Sequence, residues 1–600
     1  MKHWKKWMAC VAAVVAMSAC GDDNPDNNSN GSTNNATTGN NGSTNNATTG
    51  NNGSTNNATT GNNGSTSNMC TPITECAPEQ CGTIDDGCGG TVQCETECGC
   101  IDGDAQSETC GSCGLGVLEC GPSETGPGTC IAPAIPNLED IADTCEESII
   151  YVDASASAGD GSRQNPFNSM TSLGADPGTV VVISATQASP LQETIDVEDG
   201  VHIVGGYDSD WVYDPEGRAV IRPLGEVGDE HFGVKVEGLT EETFISNLDV
   251  ATEDATNGRS NYGLYVRATD TLTVRSSDFF AGAGGAGQNG MSGMTGASGL
   301  PGDEGAKGTQ ARPYGDGGTN ADCPGANGGD GGRGAQSVQG GDAPAGDGDD
   351  GSAAAGGDAG VNLLNQYGGE DGERGPSLSP ATSGVGGISS GRVSGGLWVV
   401  EGDGEDGTGG THGSGGGGGG GAWYGTVNGT SRLANAGPGG AGGGAGGCGG
   451  EGGAGGQGGG GSFGLFAISS QISLLNSEFV ASAGGTGGNG GQGGRGGTGG
   501  NGGQGTNQVE YSDGMSQQPQ NGTVNWFSGD GGDGVDGQIG GSGGGGAGGV
   551  SYGAFCDQSR LLIEGTDTVF EHGISAPGGG SPAGTDGENG DTDDTQSCAF

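Results

Sequence analysis

Glycine sets the limits on what this chain can become. From Gly484 to Gly505 it reads Gly-Gly-X with no slip of phase, and from Gly446 to Gly459 it does so again. Between Gly284 and Gly308 glycine falls at every third residue. Of 600 residues, 145 are glycine, so much of the chain has no side chain to bury and loses the most backbone entropy on ordering. Collagen shares the period but needs Pro or hydroxyproline at about 15–20 %, and Pro301 stands alone in its array. Two readings remain. Extended threefold helices have no internal hydrogen bonds, so their backbone groups would have to bond to helices packed beside them. The other reading is disordered low-complexity loop. The strict phase favours the first and the entropy of glycine favours the second.

A coil-sized repeat lies between the arrays. Its clearest copy starts at Phe463-Gly464-Leu465-Phe466-Ala467 and runs through Ile472-Ser473-Leu474-Leu475-Asn476-Ser477-Glu478-Phe479-Val480-Ala481. Others begin at Phe232, Tyr262 and Tyr552, and further strand candidates cover Thr179–Ile183, Val201–Val204 and Ala219–Arg222. Short alternating strands rich in Val, Ile and aromatics, repeated with polar turns, mark a solenoid. Helical periodicity is nearly absent. A β-sandwich could use the same strands, but the copies align head to tail and lack Asn-Gly hairpin turns. Every copy except that at Phe232 leads into a glycine-rich segment after its last strand, so stacked copies would release the arrays along one edge.

Three motifs carry a resemblance. Tyr151-Val152-Asp153, the turn from Gly159 through Asp160-Gly161-Ser162 to Asn165-Pro166-Phe167, and Val201-His202-Ile203-Val204-Gly205-Gly206-Tyr207 resemble right-handed parallel β-helix proteins of the pectin-lyase-like superfamily. The likeness covers residues 149–281 and resumes at 463–481 and 552–571. It implies an all-β fold: a right-handed parallel β-helix with long Gly-rich insertions, which the packed reading makes polyglycine-II-like. The arrays also resemble, in composition, the PGRS-type repeats of some surface proteins.

The N-terminus reads as an address. Lys2, Lys5 and Lys6 precede a short apolar run from Ala9 to Ala16, and Met17-Ser18-Ala19-Cys20 follows. The run is too short to cross a membrane. It resembles a bacterial lipoprotein signal cleaved before Cys20, which would be lipidated; Met17 stands where leucine is usual. An ordinary secretory signal is the alternative. From Gly31 to Gly64 the chain repeats Gly-Ser-Thr-Asn-Asn-Ala-Thr-Thr-Gly-Asn-Asn every eleven residues. Such a stretch cannot bury enough surface to fold. As a coil, residues 21–69 would span roughly 35–40 Å.

Twelve cysteines follow: Cys70, Cys76, Cys81, Cys88, Cys94, Cys98, Cys100, Cys110, Cys113, Cys120, Cys130 and Cys145. An even count in a small exported segment favours disulfides over metal. Only Cys110-Gly-Ser-Cys113 has zinc-type spacing, and no His lies near. The stretch Cys81-Gly-Thr-Ile-Asp-Asp-Gly-Cys88-Gly-Gly-Thr-Val-Gln-Cys94 resembles a module of surface lipoproteins of the myxobacterial type. The expected division is 1–19 signal peptide, 20–69 disordered tether and 70–145 Cys-rich module. It continues with 146–281 β-helix, 282–462 insertion, 463–483 coil, 484–550 insertion, 551–572 coil and 573–600 Gly/Asp-rich tail.

The net charge of -56, from 18 Lys plus Arg against 74 Asp plus Glu, repels nucleic acid. It is compatible with weak Ca²⁺ binding. After the signal only Lys235 and Lys307 remain, and His202, His231, His412 and His572 are scattered. A polysaccharide lyase needs a base beside carboxylates and a hydrolase needs facing carboxylates. Asp249 and Asp278 recur at like places in successive copies, but each follows a polar turn where Asp is common. The expectation is a non-enzymatic outer-membrane lipoprotein, surface-exposed, structural or adhesive, with no catalytic residue, metal or cofactor. Its partners would be the membrane, through the anchor, and an extracellular glycan or other cell-surface molecule. A polysaccharide-active enzyme or glycan-binding module is the alternative.

Overall fold

The computed structural model describes residues 148–600, together with short segments between 83 and 132. Left out of the larger range are 172, 226–229, 310, 312, 339–340, 357–367, 377, 389–390, 424–435, 511–515 and 518–526. Cys20 and the tether lie outside the described residues.

The protein is all-β, and its principal sheets are parallel. The chain visits three of them in turn. The first holds Ile195–Val197, His231–Glu237, Asn261–Arg267, Ser462–Ile468, Ser551–Asp557 and Thr592–Gln596. The second holds Ile149–Asp153, Val180–Ser184, His202–Val204, Thr243–Ser246, Leu272–Arg275, Gln471–Leu475 and Arg560–Glu564. The third holds Ala219–Ile221, Leu248–Ala251, Asp278–Ala281, Glu478–Ala481 and Val569–Glu571. Every pairing within these sheets is between strands of successive windings. This arrangement is compatible with a parallel β-helix and excludes a hairpin-built sandwich. Among the described residues the longest helical element is the 3-10 turn Pro324–Ala326.

Register follows side-chain identity. Val234, Leu264, Leu465 and Ala554 stack on the first sheet. Ile245, Val274 and Leu474 stack on the second, and Val250, Phe279, Phe479 and Phe570 on the third. All but Phe570 are fully buried. The rings of Phe279 and Phe479 lie 5.3 Å apart and nearly parallel, an offset stack that adds about 0.5–1.5 kcal/mol to simple burial. Gly263 and Gly464 interrupt the first-sheet strands because a Cβ there would press on the next winding's carbonyl and on the third sheet.

Two corners repeat a turn of one residue plus a hydroxyl. Between the first and second sheets Ala268, Ser469 and Gln558 take positive φ. Behind them Thr269 N–H donates to Ser470 Oγ, and Ser470 N–H to Ser559 Oγ. Between the second and third sheets Asn247, Ser276 and Asn476 take positive φ, with Leu248 N–H on Ser277 Oγ and Ser277 N–H on Ser477 Oγ. These serines satisfy buried backbone groups that a sharp corner would orphan. The third corner has no such turn. The chain leaves after Ala281, Ala481 and Glu571 and returns at Ser462, Ser551 and Thr592.

Thr592–Gln596 is a sixth first-sheet strand within the segment expected to be a tail. Thr-Asp-Asp-Thr-Gln has no apolar alternation to signal it. Backbone pairing to Ser551–Asp557 and the Cys556–Cys598 disulfide hold it. In the Cys-rich segment the described strands are short and antiparallel, such as Gly116–Glu119 with Thr129–Ile131. Leu115 of that segment buries itself against Ile149, Val180, Val204, Phe244 and Trp211 on the outside of the second sheet, and its carbonyl accepts from Tyr207 Oη at 3.0 Å.

Candidate functional site

The third corner opens into a bundle of glycine arrays held by lateral backbone hydrogen bonds. At its centre lies 437–460. Gln457, Ala454 and Glu451 donate N–H to the carbonyls of Gln288, Met291 and Met294 in array 284–308. Gly459, Gly456 and Gly453 donate to Ala547, Gly544 and Gly541 in array 527–550. In return it accepts from Gly485, Gly488 and Gly491 of array 484–506, and from Gly404, Gly407 and Gly410 of array 402–422. A threefold extended chain aims successive N–H groups in three directions, which produces this repeat of three. Two further segments, 313–319 and 326–335, cover the central array over half its length.

Close approach of backbones explains the glycines. A Cβ on Gly491 or Gly494 would collide with the carbonyl oxygen of Met291 or Met294, and one on Gly450 with that of Gly494. The positions that carry side chains point outward or into small gaps, as Ala441 and Ala445 do.

Where an array lacks a neighbour, side chains take over its N–H groups. Asp403 Oδ1 accepts from Gly458, Asp406 Oδ1 from Gly455 and His412 Nδ1 from Gly449, at 2.7–3.0 Å. On another side Asp536, Asp533 and Asp530 accept from Gly499, Gly502 and Gly505. Acceptor-only carboxylates are suited to capping donors, so these acidic residues serve the bundle's edges. The stretch 531–539 belongs to this scheme, with Asp533 and Asp536 used as caps.

One staple escaped the sequence reading. Cys323 and Cys448 form a disulfide across 125 residues, hidden because each lies alone among glycines. With His412 they form a group of ligand type, but both sulfurs are bonded to each other and His412 Nδ1 accepts from Gly449.

The bundle presents straight rows of exposed side chains. Thr486, Asn489, Gln492, Arg495, Thr498, Asn501 and Gln504 are all exposed at intervals of three, about 9 Å apart along a threefold helix. Ser298 and Thr498 hydrogen-bond across to the adjoining row at 3.0 Å.

The hairpin Gly391–Ser394 with Leu397–Val400 returns to the solenoid. Trp398 packs there on Phe463 and Phe555, 5.6 and 5.2 Å between ring centres. Tyr262 Oη accepts from Trp398 N–H. Phe527, at the start of array 527–550, is by contrast 54 % exposed.

On the outer side of the third sheet Asp249, Asp278 and Glu478 share one register. Arg222 grips both oxygens of Asp249 at 3.0 Å, and Arg218 lies 4.0 Å from Asp278. Burial, with Asp278 and Glu571 adding, pushes the Glu478 carboxyl above its ordinary pKa. Burial likewise raises Asp278, against the Arg218 charge. Lys235 pairs with Glu237 at 2.7 Å, away from this row. Burial holds His202 below its usual pKa, and the four histidines are not brought together. Of the twelve module cysteines, Cys100 and Cys110 lie in short strands and Cys130 is disulfide-bonded. The rest lie outside the described residues.

Comparison finds no matching family model, no matching curated protein and no matching solved structure.

The close approach of the arrays makes a pair of glycine substitutions diverge. Gly494→Ala should lower unfolding free energy by on the order of 1–3 kcal/mol or more, as overpacking does. Gly409→Ala, whose Cβ would meet only Gly450 O at 3.9 Å, should be neutral or gain up to ~1 kcal/mol through the unfolded state. Thermal melts of the pair check both. A carboxyl with raised folded pKa binds its proton more tightly when folded, so stability falls as pH rises through that window. Glu478→Gln should therefore raise the melting temperature at pH 7, and the gain over wild type should shrink toward pH 4.

Proposed function

We propose that the chain is a non-enzymatic cell-surface lipoprotein with a structural or adhesive role. Its body is a right-handed parallel β-helix of the pectin-lyase-like kind, and its insertions are packed polyglycine-II-type helices. Cys20 anchors it, by lipid, to the outer membrane, and residues 21–69 tether the body off that membrane. The observation that carries this reading is the row from Thr486 to Gln504, exposed on an array hydrogen-bonded to neighbours on both sides. A lattice that holds short polar side chains at fixed intervals offers a broad, stiff surface, as binding solenoids do. The acidic residues enforce solubility and disfavour anionic partners.

The glycan-active alternative rests on the outward carboxylates Asp278 and Glu478. Arg218 near Asp278 and the bidentate Arg222–Asp249 pair fit a structural row as well.

Cells carrying Cys20→Ala should lose the protein from the membrane fraction, and wild-type-like recovery there would contradict anchoring. The purified full chain, incubated with neutral and acidic polysaccharides with and without Ca²⁺, should release no fragments. Cleavage or unsaturated products would overturn the non-enzymatic reading.

A further inference from the structure

The central array is covered on all sides only over half its length. From 437 to 448 every residue is buried, whereas Gly449, Glu451, Gly452, Ala454, Gly455 and Gln457 are partly or fully exposed. Array 402–422 changes at the matching level: 413–422 is buried, while 403–412 is exposed or half-exposed. The cause is the covering segment 326–335, which ends at the Cys323–Cys448 staple. Over the covered half, Gly440, Gly443 and Gly446 donate to Gly332, Gly329 and Ala326, while Gly332 and Gly329 donate to Gly419 and Gly416. One strand thus satisfies donors of 437–460 and acceptors of 402–422 together.

Beyond the staple both rows continue, and among the described residues no strand lies between them. The donors in phase are Gly449, Gly452, Gly455 and Gly458. His412, Asp406 and Asp403 stand in as acceptors for three of them. At the fourth place the cap row has Gly409, which carries no side chain, and among the described residues Gly452 N–H meets no acceptor. The acceptors in phase are the carbonyls of Gly404, Gly407 and Gly410, and none receives a hydrogen bond among the described residues. The slot runs for ten residues, about 30 Å at the rise of a threefold helix. Its solenoid end opens into a 520 Å³ cavity lined by Glu230, Arg259, Trp398, Asp403, Gln457 and Gly458.

We infer that this slot docks one extended glycine-rich strand supplied by another polypeptide, antiparallel to 437–460, continuing the lattice that 326–335 begins. The covering strand specifies the occupant. Cβ atoms on Gly328, Gly331 and Gly334 would collide with the carbonyls of Gly443, Gly440 and Gly437, so the guest needs glycine at least at every third position. Its carbonyls take the N–H groups that Asp403, Asp406 and His412 hold, and these exposed side chains turn to water. Its N–H groups take the free carbonyls of Gly404, Gly407 and Gly410. The site does not depend on lipid anchoring, which fails on cell fractionation, whereas docking fails on peptide binding.

The test uses the purified full chain and a fluorescent twelve-residue peptide of four Gly-Gly-Asn units, with four Ala-Ala-Asn units as control. Anisotropy should show saturable one-to-one binding of the glycine peptide and none of the control. Gly409→Asp, which adds the missing cap over Gly452, should weaken binding at least tenfold with a melting temperature no lower than wild type. Asp406→Ala, which removes a stand-in from Gly455, should tighten it at least threefold. Equal binding of both peptides, no binding of the glycine peptide, or an affinity unmoved by both substitutions would overturn the inference. Displacement of the peptide by a neutral oligosaccharide would also overturn it, by assigning the slot to a glycan.

Discussion

An extended glycine chain cannot satisfy its own backbone, and the rest of the structure depends on that. Each N–H and C=O buried within the arrays must find a partner on another array or on a side chain, and only the exposed edges can turn to water. The interior arrays meet the requirement with one another, as Gly453 does with Gly541 and Gly491 with Ala454. The edge arrays meet it with Asp403, Asp406, Asp533 and Asp536. Lateral bonding also fixes composition, since a neighbouring backbone this close excludes a Cβ, at every third position along 284–308 and at two in three along 484–505.

The solenoid supplies the register that isolated arrays would lack. On the third sheet Phe279 pairs with Phe479 and Ala281 with Ala481. The same ladder continues outward as Gly284 to Ala483 and Gly287 to Thr486. On the return side Ser462 pairs with Ser551, and Gly459 and Gly456 bond to Ala547 and Gly544 with the same alignment. The parallel array pairs are therefore extensions of β ladders. The loop-closure and ordering entropy of glycine is offset at both ends by a buried apolar stack. The hairpin with Trp398 and the Cys323–Cys448 staple fix two further points.

The stacking of windings was legible because apolar identity repeats. Phe232, Tyr262, Phe463 and Tyr552 can be aligned by eye, and they pair in that register. The three-residue phase also showed that the arrays could pack. It could not show which array neighbours which, since glycine carries no label. Partner choice emerges from Cys448, from the 3-10 turn Pro324–Ala326 beside Cys323, and from where Asp residues fall along an edge. The strand Thr592–Gln596 was illegible because it pairs by backbone alone. The slot beside Gly409 was invisible in sequence, being a missing neighbour rather than a residue.

Lateral hydrogen bonds order the arrays as firmly as β pairing orders the solenoid itself. Amide hydrogen exchange followed by peptide mass spectrometry measures this directly. Peptides spanning 437–448 and 531–546 should be protected to the same degree as the strand peptide 462–475, with faster exchange confined to the uncapped edge around Gly452. Exchange across 437–460 at the rate of an unstructured chain, while 462–475 remains protected, would contradict it.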